Sequence, residues 1–90
     1  MRERTVELVN PLGLHARAAA KLVRCAGQFT STVTIHNRVN NSFANGKSIL
    51  SLLTLGGSFG VKLEIKIVGD DEAEAMTAIV ELFVNGFSEI

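Results

Sequence analysis

Ninety residues suffice for one domain, expected to span 1–90, and leave no room for a multidomain machine. Nine Lys and Arg against nine Asp and Glu give zero formal charge, which removes any global electrostatic case for nucleic acid or for membrane attraction. A single cysteine rules out an internal disulfide and fits a reducing cytoplasm, and 47% hydrophobic content supplies a core without any run of membrane-spanning length.

Met1-Arg2-Glu3-Arg4 leads into a strand-like segment and not into a signal sequence; Thr5-Val6-Glu7-Leu8-Val9 alternates and is expected to form the first strand. Asn10-Pro11-Leu12-Gly13 reads as a turn, with Pro at its second position and Gly at its fourth. Ala16 to Gln28, rich in Ala, Leu, Lys and Arg, follows as a helix. His15 therefore stands at the helix mouth. The first four N–H groups of a helix lack intrahelical partners, and the aligned peptide dipoles leave partial positive charge there. Such a site takes anions, and Arg17 adds a guanidinium suited to phosphate oxygens. The helix end and Arg17 both disfavour an imidazolium, so His15 is expected to be neutral and nucleophilic near neutral pH. An isolated histidine would more simply be a turn residue. The turn, the alanine-rich helix and Arg17 together favour phosphoryl chemistry.

On this helix Ala19, Leu22, Val23 and Ala26 repeat at helical spacing as the buried stripe, with Phe29 beyond it and Gly27 as a stop. Cys25 lies off that stripe and has no visible partner that would activate a thiolate. Ser31 to His36 is a second strand with Val33 and Ile35 inward, and Asn37-Arg38 connects it to a short third strand around Val39 to Ala44. The polar Asn40-Asn41-Ser42 suggests an edge position. His36 falls on the polar face and reads as solvent-facing. Joining it with His15 and Cys25 in a metal site finds no support in paired ligand spacing, so no metal and no cofactor are expected.

Asn45-Gly46 signals a turn and places Ser48 as the N-cap of a short helix over Ile49 to Leu55. Five aliphatics in its seven residues exceed what one face of two turns can bury. With Leu52 and Leu55 inward, Ile49, Leu50 and Leu53 are left as a docking patch for partner proteins. Gly56 to Gly60 is a flexible loop. Val61 to Val68 alternates without a break, with Lys62, Glu64 and Lys66 toward water, the pattern of a sheet covered on one side. Asp70-Asp71-Glu72-Ala73-Glu74 opens the last helix with acids read as caps. Its apolar face is Ala73, Met76, Ile79, Val80, Phe83 and Val84, and Asn85-Gly86 ends it. The order βαββαβα is satisfied by an α+β fold, one four-stranded antiparallel sheet with three helices on its aliphatic face.

Gly13-Leu14-His15-Ala16-Arg17-Ala18-Ala19 resembles the phosphohistidine signature of the HPr family, the phosphocarriers of the phosphoenolpyruvate-dependent phosphotransferase system. Gly46-Lys47-Ser48-Ile49-Leu50, followed by Leu55-Gly56, resembles that family's regulatory-serine segment. The resemblance implies an open-faced β-sandwich and a bacterial, cytoplasmic carrier without turnover of its own. It implies that His15 accepts a phosphoryl group from enzyme I on Nδ1 and passes it to an enzyme IIA domain, with Arg17 stabilising the phosphate. It implies modification of Ser48 by an HPr kinase/phosphorylase, placing negative charge beside Ile49, Leu50 and Leu53. A monomer is the default, with neither nucleic acid nor membrane insertion expected. Ala18 stands where most of the family has proline; alanine forgoes roughly 0.4–1 kcal/mol of unfolded-state entropy but adds one N–H toward the phosphate. The ending Ile79 to Phe87 is similar to NPr, the paralogue of the nitrogen-related branch, so sugar uptake and nitrogen-branch regulation both stay open.

Two other classes compete. A purely regulatory HPr-like module acting through Ser48 would not need His15 with Arg17. An unrelated small-ligand or RNA-binding α/β module is disfavoured in its RNA form, since Tyr, Trp and a basic stripe are all lacking.

Overall fold

Alternation along the chain decides which side of the sheet is covered. In the computed structural model, which describes residues 1–89, β1 (Arg2–Glu7), β2 (Thr32–Asn37), β3 (Ser42–Asn45) and β4 (Lys62–Val68) form one antiparallel sheet in the order β1-β4-β2-β3. Ile90, included in the single-domain expectation, lies outside the described residues. Register aligns the aliphatic face. Ile35 pairs with Ile65 on one side and Ala44 on the other, Val33 pairs with Ile67, and Val6 pairs with Leu63. Each of these side chains is buried, and together they make the floor of the core. Lys62 and Lys66 point away from it into water.

The helices α1 (Ala16–Ala26), α2 (Ile49–Leu53) and α3 (Glu72–Val84) cover the aliphatic face. α3 packs over β1 and against α1, while α2 packs against α1 and β3. Ala18, Ala19, Leu22 and Ala26 are the buried side chains of α1; Val23 is half-buried. Small residues at the interface let α1 lie close to its neighbours.

Several expectations are shifted by tertiary contacts. β1 begins at Arg2, three residues before the expected Thr5, because Arg2 to Thr5 pair with Glu64 to Ile67. Leu8 continues the ladder outside the strand proper, its N–H donating to Val61 O at 2.9 Å and its carbonyl accepting from Gly60 at 2.7 Å. The loop at 56–60 is thus tied down. β3 starts at Ser42 and lies at the sheet edge as expected; Val39, placed in the strand by composition, sits in the preceding turn and is exposed. The face of α3 is rotated, with Ala75, Met76, Ile79 and Phe83 inside and Val84 exposed. Val84 instead lines an open groove of about 550 Å³ between α3 and the inward-parity Arg2 and Arg4 of β1.

Two polar side chains hold loops onto this frame. Asn37 is 1% exposed and donates to Leu55 O at 3.0 Å while accepting from the Val39 N–H at 3.0 Å, which joins the β2–β3 turn to the end of α2. Asp71, expected to cap its own helix, makes no side-chain bond to α3. Its carboxylate accepts from the N–H groups of Thr30 and Ser31 and from the Ser31 hydroxyl. Those amides, at the entry to β2, are better placed donors than the first turn of α3.

Beyond α3 the chain makes a 3₁₀ turn over Gly86–Ser88, with φ of 58° at Gly86, 55° at Phe87 and 63° at Ser88. A left-handed backbone at Phe87 and Ser88 costs on the order of 1–3 kcal/mol each. It is offset by what the turn achieves. The Phe87 ring is fully buried, edge-on to Phe83 with centroids 5.0 Å apart, a burial contributing about 1.5–3 kcal/mol. Lys21 of α1 donates to the Phe87 carbonyl at 2.6 Å, fastening the turn to the first helix.

Candidate functional site

The turn before α1 is built on Asn10. Its carbonyl accepts the Gly13 N–H at 3.0 Å, and its amide donates to Gly13 O at 2.7 Å. Gly13 adopts φ +61°, and an added Cβ would meet Gly57 O at 2.5 Å, so only glycine fits. Leu14 is buried and its N–H donates to Gly57 O at 2.8 Å, which anchors the turn to the segment following α2. These bonds fix the approach of the next residue.

His15 is the N-cap of α1, with extended backbone (φ −78°, ψ −179°). Its Nδ1 accepts the Arg17 N–H at 3.3 Å, and its carbonyl accepts the Ala19 N–H at 2.8 Å. On the other side of the ring, Nε2 lies 2.7 Å from Oε2 of Glu89. A carboxylate there needs a proton on Nε2, and the cap needs a lone pair on Nδ1; the neutral Nε2–H tautomer meets both requirements. Glu89 is held in turn by Asn10, whose amide donates to Oε1 at 3.0 Å. The orientation of that amide follows from its surroundings, since both neighbours are acceptors. The Asn10 hydrogen bond, and after it the His15 ring, keep the Glu89 carboxyl below its ordinary value against the opposing effect of burial.

The His15 side chain is 24% exposed and that of Glu89 12%, so the ring is braced yet open to a reactant. Arg17 is exposed, and among the described residues its guanidinium makes no ion pair. The site offers a lone pair on Nδ1, helix amides beside it and a free cation two residues on. That arrangement suits an anion attached to Nδ1.

The remaining sequence-predicted residues are distributed around α2. Ser48 is its N-cap, Oγ accepting from the Ser51 N–H at 3.2 Å. Leu52 and Leu55 are buried, whereas Leu50 is 76% exposed and Ile49 and Leu53 are also exposed. Cys25 is half-buried and burial pushes its thiol up, away from thiolate chemistry. His36 is not simply solvent-facing. It bonds Glu64 at 3.1 Å and Asn41 at 3.0 Å and stacks on Phe43 with centroids 4.1 Å apart. His15, His36 and Cys25 are not gathered, and among the described residues no three His, Cys, Asp or Glu side chains converge on a metal position.

Asn10, Glu89 and Lys21 were not singled out by sequence. Asn10 has a local signal, since Asn before Pro opens turns. Glu89 has none, because it meets His15 across 74 positions.

An open imidazole lone pair at a helix mouth, with backbone amides and an exposed guanidinium beside it, defines the class as a protein that holds an anion on a histidine. The model of the family described as "PTS HPr component phosphorylation site" matches residues 2–85. The chain is 44% identical over 87 residues to the phosphocarrier protein HPr of Neisseria meningitidis serogroup A, covering 97% of this chain and 94% of that one. It is 37% identical over 87 residues to the phosphocarrier protein NPr of Escherichia coli, covering 97% and 96%. The HPr structure from Thermoanaerobacter tengcongensis superposes with a TM-score of 0.93 at 40% identity, covering 100% of this chain and 99% of that one. A second structure from that organism, an HPr dimer, superposes at 0.75 over 97% of this chain and 98% of its own. The chain belongs to the HPr family: it is a phosphocarrier protein of the phosphotransferase system and not an enzyme. No helix of the described residues is long and apolar enough to cross a membrane.

Proposed function

We propose that His15 takes a phosphoryl group on Nδ1 from enzyme I and gives it to an enzyme IIA domain. The observation that carries this is the Nδ1 lone pair facing the Arg17 N–H at the mouth of α1. In the forward step the lone pair forms an N–P bond while the bond from phosphorus to the donor breaks with its electron pair. The helix amides and Arg17 then stabilise the added charge. The group stays at an exposed position, from which the reverse electron flow delivers it to the next acceptor. Positioning and electrostatics are all that the carrier supplies.

The exposed Ile49, Leu50 and Leu53 serve as the apolar surface for both partners. Ser48, beside them, is the regulatory position, modified by an HPr kinase/phosphorylase where one exists. The carrier works as a cytoplasmic monomer in bacteria, in sugar uptake or in the nitrogen-related branch. Likeness to both HPr and NPr relatives supports either branch.

Incubation with enzyme I and phosphoenolpyruvate, followed by mass spectrometry under alkaline conditions, tests the reading. One phosphate on the peptide containing His15, absent from His15→Ala, is the expected result. Phosphate elsewhere, or none, overturns it.

A further inference from the structure

We infer that the free edge of β1 and the groove between it and α3 form a docking surface apart from the α2 patch, one that takes an extended acidic segment of another protein as a further strand. β1 lies at the border of the sheet and pairs on one side only, with β4. The groove beside it, about 550 Å³, is walled by Met76, Val80 and Val84 of α3 and by Arg2 and Arg4 of β1. Val84 is 66% exposed there, an apolar side chain open to solvent. A strand edge with an apolar groove beneath a neighbouring helix captures extended peptides by main-chain hydrogen bonds, while alternate side chains enter the groove. His15 is not among the groove residues, so occupation here leaves the mouth of α1 open.

The charges along β1 select the occupant. Arg2 and Arg4 alternate with Glu3 and share the inward side of the strand with Val6. Arg2 Nε reaches the Glu72 carboxylate only at 3.8 Å, where the chain's amino terminus already sits at 2.7 Å. Arg4 makes no ion pair among the described residues. Charges at inward positions of an edge strand oppose pairing with a neutral or basic strand. They admit one whose carboxylates fall opposite them, since facing charges stabilise a strand pair when opposite in sign and destabilise it when alike. A second copy of this chain does not qualify. Two-fold pairing of β1 with itself sets Arg4 against Arg4 when centred on that residue, and Glu3 against Glu7 when centred on Thr5. Glu3 and Glu81 also line the groove, so the acids of the segment must sit opposite Arg2 and Arg4, which fixes its register.

The test follows the backbone amides of the full ¹⁵N-labelled chain while the end-blocked peptide Thr-Val-Thr-Glu-Thr-Glu is added. Paired antiparallel to β1, this peptide sets its glutamates against Arg4 and Arg2 and its valine against Val6. Saturable shifts are expected along Arg2–Glu7 and Glu72–Val84. Thr-Val-Thr-Lys-Thr-Lys should bind about 10-fold more weakly or worse. Because the chain has zero formal charge, that preference reports the groove and not a bulk field. Arg4→Glu, at an exposed position, should keep the parent melting temperature and bind the acidic peptide about 10-fold more weakly. Absent shifts, equal affinity for the two peptides, or shifts centred elsewhere overturn the inference, and the arginines then only guard the edge. So do shifts along β1 that depend on protein concentration without peptide, which make a second copy the occupant. The two peptides on the unaltered chain decide the matter even where Arg4→Glu does not fold.

Discussion

Asp71 accepts the backbone N–H groups of Thr30 at 2.8 Å and Ser31 at 3.0 Å, so the start of α3 clamps the entry to β2. The Ser31 hydroxyl, foremost, and the Thr30 amide hold this carboxyl down to about 2 from an ordinary 3.8, burial opposing them. A depressed folded value means that the clamp contributes fully above the unfolded value and is lost as pH falls through the folded one. Urea midpoints should therefore decline as pH drops from about 4 toward about 2. Asp71→Asn should be less stable than the parent at neutral pH and should lack this part of the decline. A variant with the parent's full pH profile would refute the assignment.

Gly13→Ala should disturb the turn that leads into α1. At φ +61° with Gly57 O only 2.5 Å from the new Cβ, the turn must open. A loss of about 1–3 kcal/mol is expected in chemical denaturation, with slower phosphorylation because the His15 approach shifts. Parent stability would mean that the turn tolerates a side chain.

Ser48→Ala removes the bond to the Ser51 N–H at 3.2 Å and should cost about 1 kcal/mol. Ser48→Asp retains a capping oxygen and should fold like the parent, yet weaken the enzyme I interaction by setting charge beside Leu50. Unaltered phosphorylation rates in Ser48→Asp would count against a regulatory Ser48.

Leu50 and Leu52 are two positions apart on α2, one 76% exposed and the other 1%. Leu50→Lys should alter stability by under about 0.5 kcal/mol while slowing transfer from enzyme I. Leu52→Ala should cost about 2–5 kcal/mol. Similar transfer rates for Leu50→Lys and the parent would remove the docking surface from the proposal.

Arg17→Ala should leave the melting temperature unchanged, because the side chain is exposed and unpaired among the described residues. Transfer should fall about 10-fold or more, as expected when a charge is withdrawn from a developing anion. Lysine at this position should restore only part of it, lacking the planar fork. Full activity of Arg17→Ala would assign phosphate stabilisation to the helix amides alone.

Local signals carried well into the structure. The Val61–Val68 alternation, the His15 turn-to-helix junction and the Ser48 cap each depend on neighbours within a few residues. The excess of aliphatics in α2 also announced its own exposure. Contacts set by the third dimension did not show. Val84 and Ala75 exchange roles, Val84 lining the open groove that runs along α3 beside β1 and Ala75 lying inside, a placement that periodicity does not encode. Asp71 left its own helix for amides 40 positions away. The brace on His15 joins Asn10 and Glu89 across 79 positions, beyond any window of pattern reading.

The outer face of the sheet has a practical use. Thr34 and Lys66 pair there across β2 and β4, on the side opposite the helices, while the reactive ring sits at the mouth of α1. A dye or surface tether attached at Lys66 would therefore stand on the face of the sheet away from the helices and, if partners meet the carrier at His15 as proposed, out of their way. Single molecules could be followed through successive hand-offs without being removed from the relay.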